Sequence, residues 1–479
     1  MSIRQLVLSG AAVLALGAVA AATTAADPDW TRFRGPNGSG ISEATDIPTE
    51  FGPDRNLVWR LPLPGGHSSP ILWKDRIYLT AWRGGDALST IAIDREKGEI
   101  IWERPAPRVT PVIVDKRNNP ASPSPAVEDD AVYSFFPDYG LIAYDAAGNQ
   151  RWTLPLGPFD NIYGMGASPV IVGDLLVLAI DQSTGSYLLA LDKRTGAERW
   201  RAERPEAKSG HATPILWTAP DGQQQILLPG SFLLTAYAAD TGEKLWWVRG
   251  LSFEIKSTPV ILGDTVFING YGAPVNDPGN KIDIPAADDV WPGADADGNG
   301  TLSQAEFPTF TPAFWFGVAD LDRSGQLSRD EWEYYRAALD SENGMLAIRL
   351  GGSGDTTETA VKWKYQRAVP QLPSPLVFRN VLYMVNDGGI VTTLDPETGE
   401  RIAQGRLTGA LGAYYASPVA ADGHVYFVSE RGAVAVLPPG GDLTPLVVND
   451  LAEDAYATPA FADGRIYIRT VEALYAFGE

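Results

Sequence analysis

The stretch Leu188-Leu-Ala-Leu-Asp-Lys-Arg-Thr-Gly-Ala-Glu-Arg-Trp200 decides the fold. An apolar run of strand length stops at Asp192, whose carboxylate accepts bonds from the backbone ahead of it, and Gly196 supplies the positive φ of a tight hairpin. The chain then restarts as a strand ending in Trp200. Related turns stand at 94–98, 145–148, 240–242 and 395–399, and related tryptophans at Trp102, Trp152, Trp246 and Trp363. A large flat side chain on the outer strand of a small sheet can wedge against the next sheet and bury area that one sheet alone leaves wet.

Working outward, a Ser/Thr-Pro pair opens each repeat: Ser69-Pro70, Ser124-Pro125, Ser168-Pro169, Thr213-Pro214, Thr258-Pro259, Ser374-Pro375, Ser417-Pro418 and Thr458-Pro459. Their spacings of 55, 44, 45, 45, 116, 43 and 41 residues match one four-stranded propeller blade each, apart from one long interval. The last repeat stops at its third strand, Ala473-Leu-Tyr-Ala-Phe477, while an unattached strand with Trp59 in the tryptophan position, Asn56-Leu-Val-Trp-Arg-Leu-Pro62, precedes the first. Pairing the two closes the ring and removes both free edges. The expected fold is all-β: an eight-bladed β-propeller over residues 56–479, closed by its N-terminal strand, with a small α-helical insertion. Ala403 replaces the tryptophan of the sixth repeat, and the seventh, with Pro438-Pro-Gly-Gly441, has none, so those two blades are expected to be the least regular.

The Ala-x-Asp-x-x-Thr-Gly-x-x-x-Trp signature at 190–200, with variant copies at 92–102, 142–152 and 236–246, resembles the PQQ-like, quinoprotein-type propeller repeat of BamB-like assembly factors and quinoprotein alcohol dehydrogenases. The resemblance spans 56–479 apart from the insertion. It implies the fold and little of the activity, because the motif lies in blade turns. Dehydrogenases of this type hold the quinone with a vicinal disulfide and BamB is lipidated at a Cys, whereas this chain has no Cys for either.

Of 479 residues, 38 are Lys or Arg and 59 Asp or Glu, a net charge of -21 that excludes binding to nucleic-acid backbones. The lack of Cys also excludes disulfides and c-type haem attachment. Residues 1–26 read as a cleavable signal peptide, with Arg4, an apolar run and Thr24-Ala-Ala26, so a periplasmic or secreted protein without a membrane span after cleavage is expected. Residues 27–55, rich in Gly, Pro and Asp, read as an extended arm whose aromatics pack on the main body.

The long interval places an insertion at 272–343, in blade five, with 14 acids against 4 bases. It holds two EF-hand loops 25 residues apart, with candidate calcium ligands Asp295, Asp297, Asn299, Thr301 and Glu306 in the first and Asp320, Asp322, Ser324, Gln326 and Glu331 in the second. Oxygens at loop positions 1, 3 and 5, a backbone carbonyl at 7 and a carboxylate at 12 suit a hard cation that wants six to eight oxygens, and glycine at 6 makes the turn. Leu302 and Leu327 are expected to pair the loops, and Trp291 and Phe316 to share a small core. Pro292 is expected to break the helix before loop 1, and Pro308 to shorten the one after it, leaving loop 1 the weaker.

In a propeller, the start of strand one, the link between strands two and three and the link to the next blade share a face. Two places before each Ser/Thr stand His67, Ser122, Gly166, His211, Lys256, Leu372, Tyr415 and Tyr456, expected to ring the channel mouth. The link at 103–121 adds Arg104, Arg108, Lys116, Arg117, Asn118 and Asn119 as an expected basic rim. The candidate ligand residues are His67, His211, Lys256, Tyr415, Tyr456 and Asn118. They suit a protein, a glycan or an anionic small ligand. The expected function is an exported calcium-binding scaffold, monomeric, with a PQQ-dependent dehydrogenase as the alternative. No nucleophile elbow or zinc-spaced His pair supports a definite reaction, so no catalytic residue is named.

Overall fold

The computed structural model describes residues 30–479 except 86, 110, 112–113, 162, 273–275 and 313–314. Residues 1–26, read as a signal, lie outside the described residues. Eight sheets form the blades of a propeller, and in the last of them Leu57–Pro62 pairs antiparallel with Ala473–Phe477. The ring is closed by the two ends of the chain. Burial follows position in the blade. In blade three the third strand, Tyr187–Asp192, is buried at every residue but the last, whereas the fourth, Glu198–Glu203, alternates between exposed and half-buried. Seven apolar clusters each bridge neighbouring blades, as Tyr133, Leu141 and Phe135 of blade two do with Leu176, Leu178 and Leu189 of blade three. One blade has no core of its own, and association with its neighbours supplies it.

The Ser/Thr-Pro pairs have a structural role that spacing alone does not show. Ser69 N donates to Ser124 Oγ (2.9 Å), Ser124 N to Ser168 Oγ (3.0 Å) and Ser168 N to Thr213 Oγ1 (3.1 Å). Thr258 N donates to Ser374 Oγ (2.9 Å), Ser374 N to Ser417 Oγ (3.0 Å), Ser417 N to Thr458 Oγ1 (3.1 Å) and Thr458 N back to Ser69 Oγ (3.0 Å). A belt of hydroxyls thus runs round the channel, seven of the eight satisfying the backbone N–H of the blade before them.

The tryptophans form an outer set of staples. Trp59, Trp102, Trp152, Trp200 and Trp363 each lie on the turn glycine of the next blade, where an added Cβ would stand 2.4–2.7 Å from the indole. Each indole N–H donates to a carbonyl of that turn, as Trp152 Nε1 does to Lys193 O (3.0 Å). Glycine is required here for close approach as well as for φ. Trp246 departs from this pattern: it is buried, its N–H goes to Gln225 Oε1 of its own blade, and a short extra strand, Gly354–Asp355, pairs parallel outside it. The irregular blades are therefore four and five. Blades six and seven, expected to be the least regular, form ordinary four-stranded sheets. The missing tryptophan instead leaves a hollow between them, lined by Ala403, Gln404, Leu443 and Val448.

The arm does more than pack against the body. Trp30 O accepts from Leu72 N in blade one and Thr31 O from Val127 N in blade two, Asn37 exchanges two bonds with Leu216 in blade four, and Gly40 O accepts from Ala420 N in blade seven. Arg32 and Arg34, both buried, donate to Pro214 O and Pro375 O. Residues 30–40 therefore cross the channel and stop one end of it.

A cavity at the channel axis and a pair of metal loops

Above the arm the channel holds a cavity of about 180 Å³ whose lining includes Phe33 of the arm and seven hydroxyl residues of the belt. All eight mouth residues read from the sequence line it, with Asn118, Asp115, Arg117 and Tyr163. His67, Tyr456 and Tyr415 form a continuous stack, with ring centroids 4.3 Å and 5.0 Å apart and planes within 9°. Across from them Lys256 lies over the Tyr163 ring and Asn118 Nδ2 donates to Tyr163 O (2.7 Å).

The basic rim is corrected. Arg117 pairs with Asp115 (2.6 Å) and Lys256 with Glu254 (2.8 Å), so the two cavity bases are neutralised where they stand. Arg104 lies on the outer strand, bonded to Gly148 O of the blade-two turn, and Arg108 pairs with the buried Asp138. Burial, with positive neighbours, pushes both cavity histidines down: His67, beside Arg469, to about 4 and His211, beside Lys256, to about 3. Between about pH 6.5 and these values the unfolded chain takes up protons that the native one refuses, so stability is full above pH 6.5 and falls as pH drops below it. NMR titration of the native protein should give His67 and His211 midpoints near 4 and 3; midpoints near 6.5 would contradict the burial described here.

In the insertion, α1 (Ala287–Ala294), α2 (Phe316–Ala319) and α3 (Arg329–Leu339) enclose a small core of Trp291, Phe316, Trp332 and Tyr335. Leu302 pairs with Leu327 between the loops. Pro292 does not break the first helix. It lies within α1, and the carbonyl it leaves unpaired belongs to the exposed Asp288, which water can reach. After loop 1 a turn at 304–306 leads into Pro308, so that exit is a turn where a shortened helix was expected.

The donor set fits a hard cation. Asp295, Asp297 and Glu306 bring three carboxylates within 4.8 Å of one another, and Asp320, Asp322 and Glu331 do the same. Asp320 Oδ1 is buried without a hydrogen-bond partner among the described residues. Asn299 Oδ1 and Ser324 Oγ sit at position 5 of their loops, bonded to Thr301 and Gln326 at position 7. The insertion also rests on the ring: the one O–H of Tyr334 in α3 is shared between Glu206 O, in the link into blade four, and Ser231 O of that blade, and the ammonium of Lys208, buried without a hydrogen-bond partner among the described residues, feels Asp320 and Glu331.

Residues 52–190, 184–312 and 334–477 match the family described as outer membrane protein assembly factor BamB. The chain belongs to this family. Among solved structures, BamB from Moraxella catarrhalis is 15% identical with a TM-score of 0.53, covering 88% of this chain and 97% of that one. A europium-containing methanol dehydrogenase is 11% identical with a TM-score of 0.57, covering 94% and 98%. The computationally designed Ika8 protein is 12% identical with a TM-score of 0.52, covering 88% and 100%. At these identities the likeness is one of fold. No curated protein matches. An EF-hand family model matches residues 313–333, which is loop 2 with its flanks and not loop 1.

Sequence reasoning missed two features of this BamB-family propeller: the arm that stops the channel and the docking of α3 on blade four. The first is made by backbone bonds of the arm with Arg32, Arg34 and Asn37, and the second by Tyr334, none of which a periodicity singles out.

Proposed function

We propose that the chain is an exported, calcium-binding propeller that serves as a binding and assembly scaffold through the face bearing the cavity. The form of the cavity carries this reading. At about 180 Å³ it is smaller than the ~300–1,000 Å³ of sites that enclose a whole small molecule. Such a pit suits the tip of something larger: a protein side chain or terminus, a glycan ring or a small anion. Export is supported by the pattern of residues 1–26, and the assembly role by the family description. Capture of a partner from the native envelope should be lost with Tyr415→Ala/Tyr456→Ala, and equal capture by that variant would sink the reading. The alternative, a quinone-dependent dehydrogenase, rests on the shared methanol dehydrogenase fold. Incubation with PQQ and calcium should give no stoichiometric uptake, and uptake with dye-linked alcohol oxidation would overturn the scaffold.

Calcium would be held by Asp320, Asp322, Ser324, the Gln326 carbonyl and Glu331 in loop 2, and by their counterparts Asp295, Asp297, Asn299, the Thr301 carbonyl and Glu306 in loop 1. Glu331→Gln should abolish loop 2 binding in calorimetry and leave the propeller's thermal transition in place. Glu331 is also the N3 residue of a capping box with Ser328, a role that Gln can fill, so the helix keeps its start. Lys208→Met should tighten loop 2 several-fold, because it removes a like charge from beside the cation.

A further inference from the structure

Three buried arginines stand near the cavity without lining it, and among the described residues none is paired with a carboxylate. Arg34 is 0%, Arg469 1% and Arg32 8% exposed. Their bonds go to neutral oxygens: Arg34 Nη2 to Pro375 O (2.7 Å), Arg32 Nη2 to Pro214 O, and Arg469 Nη1 to Ser68 Oγ (2.6 Å) and Thr80 O (2.8 Å). Arg32 Nε, Arg34 Nε and Nη1, and Arg469 Nε are buried with no hydrogen-bond partner among the described residues. Burial lowers Arg32 to about 10 and both Arg34 and Arg469 to about 9, so each keeps its charge at neutral pH.

Their placement is specific to the cavity. Pro214 and Pro375 directly follow Thr213 and Ser374, two belt residues that line it, and Phe33, between the two arm arginines, lines it as well. Gly40 is held close: a Cβ there would lie 2.8 Å from Arg34 Nη2 and 3.2 Å from Pro418 O. Arg469 stands beside His67 and lowers its affinity for a proton. The bases of the mouth, by contrast, are cancelled by Asp115 and Glu254. Within a protein of net charge -21, Arg32 and Arg34 set positive charge beneath the belt and Arg469 sets it beside His67, with Glu430, bonded to Tyr456 Oη, as the acid facing them from the mouth.

The belt supplies the matching donors. Each hydroxyl oxygen already accepts a backbone N–H, and among the described residues none of the seven belt hydroxyls that line the cavity donates to a protein acceptor. A hydroxyl has one O–H to give. These O–H groups are arranged around one axis, and an oxyanion there would accept several at once, as charge-assisted bonds.

We propose that the axial cavity is an oxyanion site, taking a carboxylate or phosphate group on the belt hydroxyls in the field of Arg32, Arg34 and Arg469. The proposal rests on the scaffold reading and names the chemistry of the tip that enters. The test is NMR of the full chain, following the three histidine rings at constant ionic strength, with acetate, inorganic phosphate, acetamide and N-acetylglucosamine as probes. Saturable shifts of His67 and His211 with acetate, phosphate or both, and none with acetamide, are expected. His424, in a blade-seven hairpin, should not move. Phosphate alone would indicate a phosphate ester or free phosphate as the source, and acetate alone a peptide terminus or acidic sugar. Arg34→Met should weaken the anion about tenfold, the loss of one buried positive charge near the cavity. The wild-type comparison decides the matter if that variant does not fold. No shift, equal shifts with acetamide, or shifts of His424 alongside the others would overturn the site. Shifts with N-acetylglucosamine alone would overturn the anion and leave the scaffold standing, whereas envelope capture by Tyr415→Ala/Tyr456→Ala equal to that of the wild type, with the anion site intact, would do the reverse.

Discussion

Removing residues 27–62 should leave a chain that no longer unfolds as a cooperative unit, seen as the loss of its tryptophan-fluorescence thermal transition and as aggregation on expression. Blade eight then keeps three strands, and Ala473–Phe477 becomes an unpaired edge on an otherwise closed ring. The same deletion takes away Trp30, Ile47 and Phe51, all buried, with Phe51 stacked on Phe477 at 4.9 Å. Each such side chain contributes ~1.5–3 kcal/mol on burial. With the strand's own bonds the loss approaches the ~5–15 kcal/mol margin of a folded domain. A chain starting at residue 56 keeps the strand and loses only the arm, and should retain a transition at lower temperature. Equal melting of the intact chain and the 27–62 deletion would mean that the closing strand does not hold the ring.

The second large effect is expected at Asp181→Asn. Asp181 and Arg204 form a buried bidentate pair (2.8 and 3.0 Å), with the remaining guanidinium bonds going to Tyr237 Oη (2.7 Å) and Pro229 O. Taking one charge from a buried pair strands the other and costs ~3–5 kcal/mol, whereas replacing both with apolar groups is often near neutral. Denaturant midpoints should therefore fall further for Asp181→Asn than for Asp181→Leu/Arg204→Met. Gly210 packs against the Asp181 carboxylate, where an added Cβ would be 2.4 Å away, and His211 is next in the chain. The single variant should accordingly also move the His211 ring signal, and an unchanged midpoint would show that the pair contributes little.

What the sequence made legible was whatever repeats. Ser/Thr-Pro spacing located the blades, Trp59 and Phe477 located the closure, and the carboxylate pattern at 295–306 and 320–331 located the metal loops. The eight residues before those prolines lie together because a position fixed relative to a strand start is fixed relative to the axis. What stayed hidden depends on contacts between distant segments: Arg32 and Arg34 beneath the belt, and Trp246 under an added strand. Such pairings leave no trace in local pattern. Pro292 is accommodated within α1 for another reason, since a short helix tolerates a missing donor when its orphaned carbonyl, here that of the exposed Asp288, faces water.

The pairing of Leu57–Pro62 with Ala473–Phe477 also sets an order of events in the making of the molecule. Those segments are separated by about 400 residues, which a ribosome adds over something like 20–80 s at ~5–20 residues per second. Throughout that time the first strand synthesised has no sheet to join, and seven blades can assemble in an open arc while it waits. The first strand of the ring is thus the last to find its place, and the ring behaves as a clasp that Ala473–Phe477 fastens.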